Sequence, residues 1–472
     1  MEKMTNPIIA PDAQSTAPLF QQVYTRFRDR IIAGDMAPGD RLPASRALAE
    51  QLGVSRATVV AAYDQLGAEG FVEGKPGSGL YVCAIGEVEQ PVRAEPTRPI
   101  KPKPAPPPSG LPKIRAFEPG RPDMRLFPYR QWARAMARAA RNSPEALVTS
   151  PDRFGDPVLR QALAKHLAEW RGIVASPEQI LITAGSGDAL EICIRALGAP
   201  GDLVALEDPG YLPIRRFVES LGLSSVWMPV GVDGAALPDV PARIAILTPS
   251  CQFPLGGAMP TAQRIAFLNW ADANQSWIIE DDYDSEYRYA GRPIPALASL
   301  DKAGRSLYIG SFSKVFSDAL RLGYLVIPEP LIERFTETLR RFGVKASIAA
   351  QRTLGAFIED EDFYRHIRRT RRIYGERRAV FLRLIEEKLG HAATFTDHQA
   401  GMQIAVTLPG VADDVALAAD ASAVGVGCLP LSGFSAGEGG VSGLLLGFCA
   451  FSPEEMEVAL DRLAGVIAAR RT

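Results

Sequence analysis

Apolar positions Leu19, Val23, Phe27, Ile31 and Ile32 recur at helical spacing over 18–33 and predict one amphipathic helix. A turn at 34–39 follows, and Ser45 stands as the N-cap of a second helix over 46–52. Gly53-Val54-Ser55 is a tight turn, with Ser55 capping a third helix that runs to about 69. Val59, Tyr63 and Leu66 make its buried stripe, while Arg56, Ala57, Thr58 and Ala61 leave the opposite side small and headed by an arginine. Residues 71–82 read as a β-hairpin with a glycine-rich tip. Beyond Gln179 the period changes. Short apolar runs at 180–183, 203–206, 225–230, 244–247, 277–279, 307–309 and 324–327 alternate with helical stretches, which predicts an α/β fold with a largely parallel sheet.

Between these patterns lie nine prolines in the 22 residues from Pro91 to Pro112. Proline lacks an amide hydrogen and fixes φ, so the stretch neither pairs as a strand nor continues a helix. It is expected to act as a semi-rigid spacer. The chain thus divides into a small module at 16–84, a linker at 85–112 and a large module at 113–472.

Composition changes this picture little. The 472 residues carry 52 Lys and Arg against 54 Asp and Glu, a formal net charge of −2, which excludes holding nucleic acid by bulk charge alone. The five cysteines are scattered without a C-x-x-C pair, pointing to a reduced compartment and no disulfide framework. The four histidines form no ligand-like group, so no metal is expected. No apolar run approaches the roughly 20 residues that span a bilayer, and the first residues lack the order of a signal peptide. A cytoplasmic protein without a membrane partner is expected.

Two helices joined by a glycine turn, the second opening with an arginine and small residues, fit a helix-turn-helix whose backbone must approach base edges. The hairpin tip, with Lys75, fits a wing. The near balance of acidic and basic residues over 16–84 favours instead a small helical domain that binds protein or nothing, while the placement of Arg46, Arg56 and Lys75 on one side favours DNA. The stretch RLPASRALAEQLGVSRATVVAAYDQLGAEGFVEGKPGSGLYV resembles the winged helix-turn-helix of the GntR family along its whole length. That resemblance implies DNA contacts at Arg46, Ser55, Arg56, Thr58, Lys75 and Gly77, with Arg41 a further phosphate contact.

In the large module, ligands are expected beyond the carboxyl ends of the strands. Three features follow strands there: Gly185-Ser186-Gly187 opening a helix, the acidic run Glu280-Asp281-Asp282-Tyr283-Asp284, and Gly310-Ser311-Phe312-Ser313-Lys314 with Arg321 seven residues on. Singly, each has a bland reading: a common turn, a metal site or solvated loop, a surface lysine. Together they are a phosphate cup, a carboxylate for a pyridine nitrogen and a lysine for a Schiff base, the parts of a pyridoxal phosphate site. The region from about 115 to 470 resembles the fold type I aminotransferases, most specifically in SFSK-x6-R. The resemblance implies that Lys314 is the aldimine lysine and that Asp281 pairs with the pyridine nitrogen. It also places Tyr283 on the phenolic oxygen, Tyr211 (in EDPGY) on the ring face, and Gly185, Ser186, Gly187, Ser311 and Arg321 on the phosphate. Winged helix, linker and EDDYDSEYRYAGRP together resemble the MocR subfamily of GntR transcription regulators. This implies pyridoxal phosphate as cofactor, promoter DNA as partner and a head-to-tail homodimer.

Three departures separate the chain from working aminotransferases. Residues 389–461 contain no lysine or arginine, where such enzymes hold a substrate carboxylate. Phe253-Pro254-Leu255-Gly256 replaces N-P-T-G, and Ser150 replaces a tyrosine that reaches the partner's phosphate. The expectation is a regulator that senses an amine or amino-acid effector through an aldimine at Lys314 rather than turning it over. The alternatives are a sensor of pyridoxal phosphate itself, or an aminotransferase with a DNA-binding arm. An anionic effector would need a holder elsewhere, such as Arg215 or Arg216; sulfonates and diamines are the other classes considered.

Overall fold

The structure, a computed structural model, describes residues 17–75, 77–84, 115–149, 152–291, 294–437 and 440–470, with His391 as backbone only. Contacts divide the chain into Met1–Ser109 and Gly110–Thr472. The linker at 85–112 and Ser150 lie outside the described residues.

In the small unit, α1 (Leu19–Ile32), α2 (Ser45–Leu52) and α3 (Arg56–Ala68) precede an antiparallel hairpin of β1 (Val72–Lys75) and β2 (Gly79–Val82). Val23, Phe27, Leu48, Leu52, Val59, Tyr63 and Leu66 close its core, with Val72 and Val82 from the hairpin. Two expectations need correction. Leu19 is exposed and Ile32 only half-buried, because Tyr24 joins Val23, Phe27 and Ile31 and turns the buried stripe away from them. Ser45 is not the N-cap of α2 but its first residue: Ala44, extended at φ −60° and ψ 135°, precedes it and its carbonyl accepts the first helical bond from Leu48 N at 3.0 Å. The Ser45 hydroxyl instead accepts from Arg56 Nε at 3.4 Å.

The large unit is α/β. Its main sheet contains β3 (Ile180–Thr183), β4 (Leu203–Asp208), β5 (Ser224–Gly231), β6 (Gly234–Ala235), β7 (Ile244–Leu247), β8 (Trp277–Asp282), β9 (Ser306–Ser311) and β10 (Gly323–Val326). Their order is β3-β10-β9-β8-β7-β4-β5-β6. Neighbours from β9 through β5 run parallel, β10 is antiparallel to both β3 and β9, and β6 is antiparallel to β5. β3, β7, β9 and β10 are buried at every residue. Such strands carry apolar residues on both faces because helices cover both. A second, antiparallel sheet pairs Gln403–Thr407 with Gly443–Gly447.

Register builds the functional end of the main sheet. Gly323 pairs with Thr183 on one side and Ser311 on the other, so the glycine turn after β3 and the lysine segment after β9 flank one point. A Cβ at Gly323 would stand 3.0 Å from Gly185 Cα and from Gly310 O, a close approach that favours glycine. At Gly310 a Cβ would stand 2.2 Å from the Tyr324 ring. Gly310→Ala is therefore expected to lower stability by about 1–3 kcal/mol through overpacking, measured as a lower midpoint in denaturant at unchanged slope.

Candidate functional site

In the small unit, Ser55 caps α3 by accepting from Thr58 N at 3.1 Å, and the two hydroxyls lie 2.8 Å apart. Both are thus committed first to the helix start. Arg46 has 85% of its side chain exposed, and Arg41 and Arg56 are also exposed. Arg46, Gly53, Val54 and Arg56 line an open concavity of about 570 Å³. At the hairpin, Lys75 lies over the Tyr81 ring at 4.9 Å, and Gly77 turns the tip at φ +73° with nothing within 4 Å of a Cβ there. The start of α3 and the hairpin tip thus present exposed cationic groups, as contact with a phosphate backbone requires.

In the large unit, the carboxyl ends of β3, β8 and β9 present the other expected residues. Gly185, at φ +101°, starts the helix Ser186–Leu197; no atom lies within 4 Å of a Cβ at Gly185 or Gly187. Asp188 holds the turn by accepting from Ala184 N at 2.8 Å. The buried Ser311 hydroxyl accepts from Ser313 N at 3.2 Å. Arg321, exposed, adopts φ +48° after the short helix Asp318–Leu320, a left-handed conformation that costs a non-glycine residue energy. Lys314 Nζ donates to Gly120 O at 2.9 Å. Burial, with the Arg121 charge adding to it, pulls its amine below the ordinary lysine value, so the uncharged nucleophilic form becomes more accessible.

The acidic run divides by the two-residue period of a strand. Its first three residues, Glu280–Asp282, lie within β8, and Tyr283 and Asp284 follow it: β8 extends three residues further than its apolar run predicts, because buried partners satisfy Glu280 and Asp282. Glu280 accepts from Leu297 N at 3.0 Å and Ala298 N at 2.9 Å. Asp282 pairs with Arg171 at 2.7 Å and accepts from Tyr308 Oη at 2.6 Å. Those two acids are structural. Asp281, between them, points to the opposite face, where its Oδ1 is buried without a hydrogen-bond partner. Burial first, then Asp282 and Glu207, raises its carboxyl to about 7. Asp281 and Tyr211 line one small cavity, about 30 Å³, with Glu207, Thr248, Leu190 and Trp227.

Tyr283 donates to Cys251 Sγ at 3.6 Å. Phe253 packs against Tyr211 at 6.2 Å, Tyr283 at 5.9 Å and Phe434 at 5.1 Å between ring centroids. The Tyr211 turn is tied to the segment around Phe434: Gly210 N donates to Phe434 O at 3.0 Å, and Ala436 N to Asp208 Oδ1 at 2.9 Å.

Several of these residues escape sequence reasoning. Gly120, Arg121 and Phe434 are far from the three motifs in sequence. Glu207 begins the EDPGY motif, whose tyrosine alone carries a signal. It accepts from Thr248 Oγ1 at 2.5 Å and Gln252 Nε2 at 3.3 Å, and burial raises it to about 7.

The comparisons agree with this geometry. Residues 121–463 match the family model "Aminotransferase class I and II", and 19–82 match "Bacterial regulatory proteins, gntR family". The chain is 36% identical to the "Probable rhizopine catabolism regulatory protein MocR" of Rhizobium meliloti over 96% of this chain and 94% of that protein. It is 32% identical to the "HTH-type pyridoxine biosynthesis transcriptional regulator PdxR" of Corynebacterium glutamicum, over 94% and 95% respectively. An archaeal alanine:glyoxylate aminotransferase structure superposes with a TM-score of 0.70 at 27% identity, covering 76% of this chain and 92% of that one. The aminotransferase fold implies pyridoxal phosphate. The residues present fit it, since Asp281 holds a buried oxygen in want of a donor, Gly185 and Gly187 leave a helix start open, and Lys314 offers an amine whose hold on its proton burial weakens. Among the described residues no helix is long and apolar enough to cross a membrane, and no acid, His or Cys cluster is arranged to hold a metal ion.

Proposed function

The chain belongs to the MocR subfamily of GntR transcription regulators, and from that premise we propose that it binds promoter DNA as a homodimer in the cytoplasm and senses an amine or amino-acid effector by exchange with Lys314. The observation that carries this reading is the placement of Lys314 on Gly120 O in a unit whose Asp281 oxygen lacks a donor, within a chain that also bears a GntR winged helix.

Pyridoxal phosphate, when bound, supplies an aldehyde carbon that takes one primary amine in exchange for another, with no net oxidation. Asp281 would hold the proton on the ring nitrogen, Tyr211 would cover the ring face, and Tyr283 would donate to the ring's phenolic oxygen. Gly185, Ser186, Gly187, Ser311 and Arg321 would hold the phosphate. An effector drives a conformational shift only by binding one state more tightly than the other. The hydrogen bonds between the Tyr211 turn and Phe434–Ala436 offer a route, because whatever displaces Tyr211 also strains the C-terminal segment. The absence of lysine and arginine over 389–461 supports sensing over turnover.

On the DNA side, Arg41, Arg46, Ser55, Arg56, Thr58, Lys75 and Gly77 would make the contacts. Arg56, at the first turn of α3, is placed to read a base, and Lys75, at the wing, to neutralise a phosphate. Arg56→Ala is expected to cost about 1–3 kcal/mol of operator affinity and to relax specificity, whereas Lys75→Ala weakens all sequences alike and lowers the salt slope by about one. Fluorescence anisotropy with promoter and scrambled duplexes at several salt concentrations checks both. The test of the whole reading is promoter affinity with and without an amine that shifts the cofactor's visible band; an amine that shifts the band and leaves affinity unchanged counts against it.

A further inference from the structure

We infer that the effector is a primary amine without a carboxylate, its tail packing against the aromatic wall around Phe253 and meeting the neutral amide of Gln403; the inference rests on the sensing reading above. The groups bearing electrostatically on Lys314 are one guanidinium, Arg121, and three carboxylates, Asp284, Asp318 and Glu118. Arg121 is already held from two sides, by Glu118 at 2.8 Å and Asp318 at 3.1 Å. Asp284 is 2% exposed and lies 3.3 Å from a Cβ position at Gly401, itself 3.1 Å from Cys251 Sγ. Burial raises the Asp284 carboxyl to about 8, so the charged pair Glu118 and Asp318 already outweighs Arg121, and that guanidinium is not left free for an incoming carboxylate.

Geometry names the group facing the lysine from the second sheet. A Cβ built at Gly120 would stand 2.6 Å from Lys314 Nζ and 3.8 Å from Gln403 Oε1, so the reacting amine and the amide of Gln403 border the same Gly120 position. An amide donates and accepts but brings no charge, and burying a carboxylate against it leaves most of the ion's solvation unreplaced. Arg215 and Arg216 do not supply the missing cation. Both are exposed on the helix Pro213–Ser220, and Arg215 is engaged by Glu219 at 2.8 Å.

The remaining wall is apolar. Phe253 stands edge-on to Tyr211, Tyr283 and Phe434, and Tyr283 reaches Cys251 beside Asp284. Aromatic edges and faces of this kind receive an alkyl or aryl tail. The site thus offers a nucleophile-exchange point, a neutral polar group and an aromatic wall.

The experiment uses the full chain loaded with pyridoxal phosphate and three matched pairs: phenethylamine with L-phenylalanine, isoamylamine with L-leucine, and ethanolamine with L-serine. Binding is read by the visible band and independently by thermal shift. The amine of at least one pair is expected to bind at least about tenfold more tightly than its amino acid. Gln403→Arg is expected to reverse that order by bringing a guanidinium to face the carboxylate. Amino acids that bind as well as their amines to the unmutated chain overturn this inference and leave sensing intact. Silence from all six compounds over an intact cofactor band overturns the sensing reading itself, and this inference with it.

Discussion

Replacing Lys314 by alanine reduces the ratio of promoter affinities with and without effector to one. Couplings between sites are typically worth about 5- to 150-fold in affinity, and all of it is expected to vanish, because the exchange that reports the amine has lost its resident partner. The same variant loses the visible band of the lysine-bound cofactor. Lys314 donates to Gly120 O, so its removal also frees the segment that carries Arg121. A structural loss of that kind is separated from loss of exchange by Lys314→Arg, which keeps a donor for Gly120 and still cannot exchange. Effector response retained in either variant contradicts the role given to Lys314.

Asp281→Asn has effects of opposite sign on the two forms of the protein. With cofactor, a carboxylate facing the protonated ring nitrogen is lost, and removing one partner of a buried charged pair typically costs about 3–5 kcal/mol; affinity for pyridoxal phosphate is expected to fall by about 100-fold or more. Without cofactor, Asp281 is a buried acid whose proton-binding point rises to about 7. The folded chain then holds a proton that the unfolded chain has released between about pH 4 and 7. Stability from this group is complete below that window and is lost as pH rises through it, at roughly 1.4 kcal/mol per pH unit. The amide in the Asp281→Asn variant does not titrate and has no such slope. The cofactor-free variant is therefore expected to be more stable than the cofactor-free parent at pH 8, with the gap markedly smaller at pH 5 and closing only near pH 4. Denaturant titrations at the two pH values, after cofactor removal with hydroxylamine, check the sign.

Elements whose information is local were legible in the sequence. The three helices and hairpin of the small unit, and all seven apolar runs of the main sheet, fall where periodicity puts them, with ends displaced by at most three residues. The misses have non-local causes. Ser45 looked like a cap because the residue before it, Ala44, has no side chain to do the work, yet Ala44 takes the cap geometry. The run 277–279 stopped at the first carboxylate, whereas β8 continues because Arg171, Tyr308 and the amides of Leu297 and Ala298, all distant in sequence, satisfy Glu280 and Asp282. That Asp281 alone of these acids keeps an unpartnered oxygen is a consequence of strand alternation plus those partners, and no spacing rule contains it. Gly120 and Gln403 come to Lys314 from segments 194 residues before and 89 residues after it in the chain, which only the tertiary fold brings together.

The central claim is that an amine arriving at Lys314 alters how the winged helices hold DNA. It is tested most directly by titrating an amine into the full chain on fluorescent promoter DNA while recording the visible spectrum of the same sample. The account predicts a persistent shift of the cofactor band whose midpoint coincides with that of the change in DNA affinity. A band that decays to the aminated cofactor, returns on adding an oxo acid and leaves DNA affinity unchanged would contradict it, and would make the protein an aminotransferase with a DNA-binding arm.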